Sequence, residues 1–308
     1  MDNWRRAILR GDFTNMKIKR TSGEVAFDAL NMGLLLLFCL AVAIPLMNVI
    51  AGSLSSNEAI IHSEVTLWPV GFNLHNYEFV IRNAVFWKSF WVTIQIVLIG
   101  TAINMILTIL TAYPLSKGWL GGRKIILLFI IFTMIFQAPM VPMYILVKSL
   151  GLLNSIWSLI IPGALSAFNM MLCITFMRSL PEELFEAARV DGMSEYRIVW
   201  RIVAPLSMPI NVTLILFYAV GHWNNYLGPL LYITDRNLQP LQLYLYKLIS
   251  QFDMDSAGGQ SVLELSTPIT PQGLQMATIV IATIPIIIIY PFLQKHFIKG
   301  ALLGSVKE

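Results

Sequence analysis

Six apolar runs, each of about the length that crosses a lipid bilayer, dominate this chain: roughly 28–51, 87–112, 125–147, 155–177, 206–232 and 277–294. A helix needs roughly 20 apolar residues to cross the hydrocarbon core. The runs do not alternate polar and apolar residues as barrel strands do. Helices satisfy their own backbone groups where no water is available, so the runs predict an all-α polytopic membrane protein with six transmembrane helices. Composition agrees. The 308 residues are 56% hydrophobic and only 12% charged, against about 25% charged in an ordinary soluble domain. The two cysteines, Cys39 and Cys173, both fall within apolar runs, so no disulfide framework is expected.

The cations sort between the connections. Arg5, Arg6, Arg10, Lys17, Lys19 and Arg20 precede the first run; Lys117, Arg123 and Lys124 follow the second; Arg178, Arg189, Arg197 and Arg201 follow the fourth; Lys295, Lys299 and Lys307 lie at the end. The opposite side holds only Arg82, Lys88, Lys148, Arg236 and Lys247. The positive-inside rule then places both termini in the cytoplasm. The expected organisation is a cytoplasmic segment 1–27, a membrane domain 28–298 and a cytoplasmic tail 299–308. Two outside connections, 52–86 and 233–276, are long enough to carry function. The first, with Trp68-Pro69 and Asn73 to Tyr77, is expected to be ordered near the membrane interface.

Residues 179–205 form the most polar inside connection. Ser179-x-x-Glu182 fits a capping box, with Pro181 in a first turn. Gly192 can end that helix in a left-handed conformation, and Ser194 can cap a second helix that closes at Pro205. Ala187 and Ala188 leave a low profile for another protein to approach. The string Glu186-Ala187-Ala188-Arg189-Val190-Asp191-Gly192, with Pro205 and Pro209 after it, resembles the EAA loop of binding-protein-dependent ABC importer permeases.

The resemblance extends over roughly residues 90–308. Gly151-Leu152-Leu153-Asn154 is similar to an extracellular turn of that family. His222-Trp223-Asn224-Asn225-Tyr226 with Gly228-Pro229-Leu230 resembles a stretch of carbohydrate permeases, and Phe292 to Gly300 with Gly304 to Lys307 resembles the MalG-like C-terminus. Gly221 to Asn225 and Leu238 to Gln242 point to the branch for complex oligosaccharides, although the chain departs from the maltose-type pattern at Pro240. The resemblance implies a permease subunit of the bacterial cell membrane that forms half of a translocation path by alternating access. It implies a second permease subunit, two ATPase subunits, an extracytoplasmic solute-binding protein, membrane lipid and an oligosaccharide substrate. ATP and Mg2+ would reside on the ATPases. Glu186, Ala187, Ala188, Asp191, Gly192 and Pro205 would then couple to the ATPase subunits.

The residues themselves offer little to an enzyme reading. The Gly118–Lys124 stretch has the wrong spacing for a phosphate-binding loop. No metal-ligand spacing appears, and no cofactor in this chain or nucleic-acid partner is expected. Polar groups within apolar runs tend to face a bundle interior or a cavity. Asn104, Gln137, Asn169, Tyr218, His222, Trp223, Asn224, Asn225 and Tyr226 are therefore the substrate-path candidates. Amides donate and accept, which suits sugar hydroxyls, and aromatic faces suit pyranose C–H groups. Tyr218, His222 and Tyr226 recur every four residues and would share one helix face. Alternatives are a same-fold permease for polyamine or phosphate, or a secondary transporter or channel. The last would place acids within the membrane, whereas the acids from Glu58 to Glu264 all fall in connections.

Overall fold

The computed structural model describes residues 21–136, 138–257 and 270–305, with side chains omitted at 251–257, 290 and 292–305. Among the described residues every regular element is helical. Helix α1, Ser22–Ser53, opens with a capping box in which Glu24 N donates to Thr21 Oγ1 and Thr21 N donates to Glu24 Oε2. Its 32 residues reach ~48 Å, well beyond the ~30 Å hydrocarbon core. Apolar side chains from Val25 to Ile50 are exposed around most of its circumference. Lipid or another membrane helix solvates such a surface; water does not.

The connection after α1 is ordered, as expected. Ser56 caps α2, Asn57–Ile61. Ser55 Oγ accepts from Val70 N at 3.0 Å, and Asn73 Nδ2 donates to Ser55 O, which folds the Trp68-Pro69 segment back onto the end of α1. Helix α3, His75–Arg82, leads into α4, Ala84–Ser116, which Asn83 caps through Val85 N. This 33-residue helix is the axis of the molecule, with buried residues from Phe86 to Ser116.

The next three apolar runs are interrupted, each near a proline within it: Pro139, Pro162 and Pro229. The third forms α5, Arg123–Ile135, and α6, Met140–Ser149, because Pro139 cannot continue a helix and instead precedes the second. The fourth forms a single turn, α7, Trp157–Ile160, and a 12-residue half-helix, α8, Ala167–Arg178, separated at Pro162-Gly163. Between them and the fifth run lie α9, Glu183–Val190, and α10, Glu195–Leu206, which contains a π-helical stretch at Val199–Val203. Helix α10 meets α11, Met208–Asn224, at an angle of 86°, and the fifth run breaks before α12, Leu227–Tyr232. At the bend Pro205 and Pro209 lack donors. Asn211 Nδ2 donates at 2.9 Å to Ala204 O, a carbonyl that a straight helix would have satisfied through its own backbone.

Helix α13, Leu241–Ala257, lies in the second long connection, and α14, Pro271–Ser305, is the last element. Helix α14 runs on through Gly300 and Gly304, so the tight turns those glycines permit are not used. Among the described residues, three single helices are long and apolar enough to cross a membrane, or up to five segments if each bent pair counts as one.

Helix α4 packs against α11, α8 and α13, while α14 packs against α1, α3 and α11. The largest apolar cluster joins the C-terminal part of α4 to α8–α11, with Tyr113, Cys173, Phe185, Ile198, Val203 and Leu214 buried together. A second cluster joins Val80, Phe86, Trp223, Leu241 and Ala277 at the other end of α4.

Candidate functional site

Two sites share α4. The first is the short helix pair α9–α10. Gly192 has φ +75°, the left-handed state expected for the turn between the helices, and Met193 N closes that turn onto Ala188 O at 3.0 Å. The proposed capping box is absent. Ser179 ends α8 and donates its hydroxyl to Phe176 O, so it is spent on the preceding helix, and α9 begins two residues beyond Pro181. Ser194 does occupy the cap position of α10, but without a side-chain bond.

Glu186, Ala187, Asp191 and Gly192 lie on the exposed side of the pair. Leu184, Val190 and Tyr196 are exposed beside them, Val190 by 88%. One exposed apolar residue is ordinary, but three close together on one helix pair give a surface of the kind that protein partners use. Ala188 belongs elsewhere. It is 4% exposed and packs in the cluster with Tyr113 and Phe185, so its small size serves internal packing, not an approaching partner. Pro205 stands exposed at the far end of α10, outside this patch.

Polar contacts tie the pair to α4, and the sequence reading missed them. Tyr113 donates its hydroxyl to Glu195 Oε2 at 2.7 Å, while Arg189 Nε donates to Glu195 Oε1 at 2.8 Å. Burial works against the Glu195 carboxylate, but these hydrogen bonds outweigh it and hold its pKa below the ordinary value. The same carboxylate holds the Arg189 pKa up. Lys117 Nζ donates to Glu182 Oε2 at 2.8 Å and lies 3.3 Å from the centre of the Phe185 ring. The available signal was Lys117 itself, a cation closing a long apolar run.

The second site is a polar seam where α4 meets α11 and the break before α8. Thr108 Oγ1 and the Tyr218 hydroxyl are 2.8 Å apart, and Ser166 N donates to Tyr218 at 3.3 Å. One turn away along both helices, Asn104 Oδ1 faces His222 Nε2 at 3.5 Å, and Asn104 Nδ2 donates to Gly163 O at 3.1 Å. The sequence candidates Asn104, Tyr218 and His222 therefore come together. Asn169 is buried on α8. Gln137 lies outside the described residues.

The remaining candidates separate. Helix α11 ends at Asn224 and Asn225 is extended, so Tyr226 does not continue the Tyr218–His222 face. Tyr226 instead stacks on Tyr246 with centroids 5.5 Å apart. Asn225 Oδ1 accepts from Gly228 N at 3.1 Å and so helps to start α12, a local structural task. Trp223 is buried at 6% exposure, edge-on to Phe90, and is neither interfacial anchor nor exposed platform. Asn224 is exposed.

The turn after α6 also has a structural task. Asn154, at φ +55°, accepts through Oδ1 from Thr234 N, Thr234 Oγ1 and Asp235 N. It joins the third and fifth apolar segments at that end of the molecule.

A helical membrane fold with a paired-helix connection on one axis and a polar seam on the same axis is a transporter-like arrangement. The family profile described as "Binding-protein-dependent transport system inner membrane component" matches residues 19–302. The chain belongs to this family. It is accordingly a non-catalytic permease subunit and a multi-pass inner-membrane protein. It is 41% identical to the polygalacturonan/rhamnogalacturonan transport system permease protein YtcP of Bacillus subtilis (strain 168), over 91% of this chain and 98% of that one. It is 42% identical to protein LplC of the same organism, over 86% of this chain and 89% of that one. A chain of a bacterial ABC transporter involved in import of the acidic polysaccharide alginate superposes with a TM-score of 0.83 at 32% identity, covering 90% of this chain and 99% of that one.

Proposed function

We propose that this permease subunit carries oligosaccharides, with pieces of acidic plant or algal polysaccharide as the leading class. The observation that carries this reading is the 41% identity to a permease named for polygalacturonan and rhamnogalacturonan transport, reinforced by the 32% identity to the alginate importer chain. The seam supports it chemically. Asn104, Tyr218 and His222 carry amide, phenol and imidazole groups of the kind that bind sugar hydroxyls, but Asn104 and Tyr218 are buried and bonded to Gly163, His222, Thr108 and Ser166, so they would reach a sugar only if α4 and α11 part. Polyamine and phosphate carriage find no such support in these relatives.

In this reading a second permease completes the path, two ATPase subunits bind ATP and Mg2+, and an extracytoplasmic solute-binding protein delivers the substrate. Both termini and the α9–α10 pair face the cytoplasm, as the cation distribution favours. Glu186, Ala187, Asp191 and Gly192 form the surface that docks the ATPases, while closure of those subunits drives alternating access. The test is ATP-dependent uptake by the complete complex in proteoliposomes with its binding protein, comparing oligogalacturonates, rhamnogalacturonan fragments, alginate oligomers and neutral malto-oligosaccharides. Import of acidic oligomers over neutral ones is the expected result. Uptake of neutral oligomers alone would remove the acidic assignment, and uptake of none would remove the saccharide one.

A further inference from the structure

The end of α4 holds both members of the helix pair. Tyr113 lies in its last turn and Lys117 is its C-terminal cap. Tyr113 donates at 2.7 Å to Glu195, the first residue of α10. Lys117 donates at 2.8 Å to Glu182, the residue that caps α9. Phe185 of α9 sits between the two anchors. Its ring meets Tyr113 edge-on at 6.2 Å and lies under the Lys117 ammonium at 3.3 Å. Glu195 turns its other oxygen to Arg189 at the end of α9, so one carboxylate spans the Gly192 turn and reaches α4 as well.

Lys117 is 4% exposed. Its ammonium is not offered to another protein, because Glu182 and Phe185 of α9 cover it, and swinging α9 away from α4 would break both the ion pair and the contact with the ring. Swinging α10 away would break a hydrogen bond to an ionised carboxylate, among the stronger kinds. A pivot between the pair and α4 therefore has to break two anchors and the aromatic contact between them. Further along α4, Asn104 and Thr108 meet His222 and Tyr218. At 1.5 Å per residue, roughly 20 Å separates Asn104 from Lys117.

We propose that Tyr113 and Lys117 are positioning residues that fuse the helix pair to α4, so that pair and helix move as one rigid body during transport. Displacement of the pair then reaches the α4–α11 seam directly, without a flexible joint. This rests on the coupling reading given above.

The test uses the complete complex with its binding protein and reads transport per ATP hydrolysed. Tyr113→Phe and Glu195→Gln should each lower that ratio by about three- to tenfold, the size of one net hydrogen bond at a half-exposed carboxylate. The double variant should be no worse than the poorer single one, because one change removes and the other weakens the same contact. Lys117→Met should lower the ratio and Lys117→Arg should restore much of it. A second measurement covers variants that assemble poorly. Cysteines at 113 and 195, in a background lacking Cys39 and Cys173, are joined by a bismaleimide spacer, and the joined complex should import at no less than half the rate of the unjoined one.

Loss of import on joining would show that the pair pivots on α4 and overturn the proposal. So would single variants with unchanged ratios, or additive losses in the double variant. If the wild-type complex imports with ATP while these results fail, only the rigid-body device falls. If the wild-type complex shows no ATP-dependent uptake, the coupling reading falls and takes the device with it.

Discussion

Gly100 of α4 faces the ring of His222 so closely that a methyl group on its Cα would stand 2.6 Å from Nε2. The contact sets the approach of α4 to α11 one turn from Asn104. Gly100→Ala should gain helix propensity, worth up to about 1 kcal/mol, and lose more through overpacking, about 1–3 kcal/mol. A lower melting temperature of the detergent-solubilised complex is the expected outcome. Gly100→Leu should displace His222 and reduce uptake as well.

Asn154 secures Thr234 and Asp235 through three hydrogen bonds to one oxygen. Asn154→Ala should destabilise this junction by about 1–2 kcal/mol, because the contacts are solvent-accessible and water replaces part of them. Asn154→Gly relieves the left-handed backbone but loses the same bonds. Both variants should show faster hydrogen exchange at 233–238 than the wild type. Exchange unchanged in both would remove the junction from the account.

Gly192 has open space where a side chain would go, so a substitution there acts through φ alone. The left-handed state costs an ordinary residue about 1–2 kcal/mol. Gly192→Asn should be the mildest change, Gly192→Ala intermediate and Gly192→Val the most severe. The order should appear in transport per ATP, with membrane insertion retained. Equal behaviour of all three would contradict the backbone argument. A bulky Ala188→Trp change differs in kind. It should destabilise the chain's own core, because Ala188 is buried beneath the pair.

The Glu195 anchor has a defined pH window. Its folded pKa is depressed below the ordinary 4.5 of a glutamate. Its contribution to stability is therefore fully present above that ordinary value and is lost as pH falls through the lower folded one. The melting-temperature difference between wild type and Glu195→Gln should be flat from pH 6 to 8 and shrink below about pH 4.5. A difference that instead shrank on going from pH 6 to pH 8 would point to another group.

Apolar runs made the helical membrane class legible, and Gly192 announced its own turn. Helix continuity was less visible. Apolar content reports the surroundings of a segment, not whether its backbone runs straight, so the breaks at Pro162-Gly163 and Asn225 fall inside runs that composition shows as whole, with Pro162 and Pro229 as their local sign. A four-residue spacing predicted a shared face for Tyr218, His222 and Tyr226, but that inference fails once the helix ends at Asn224. Ala188 shows a different ambiguity. A small residue fits equally well under a neighbour's helix or beneath its own, and only the packing of Phe185 and Tyr113 decides. Lys117 and Glu182 are 65 positions apart, so their pairing has no local signature.

The 86° elbow at Ser207 changes the direction of any push it receives. A force along the axis of α10 arrives almost side-on at the root of α11. Because the corner is held, movement of α10 along its axis would carry the root of α11 sideways. Asn211 braces the corner by holding Ala204 O across it, so the angle is kept by a side chain one turn into the driven arm. Lengthening or straightening that corner would leave both arms intact and remove the conversion between them.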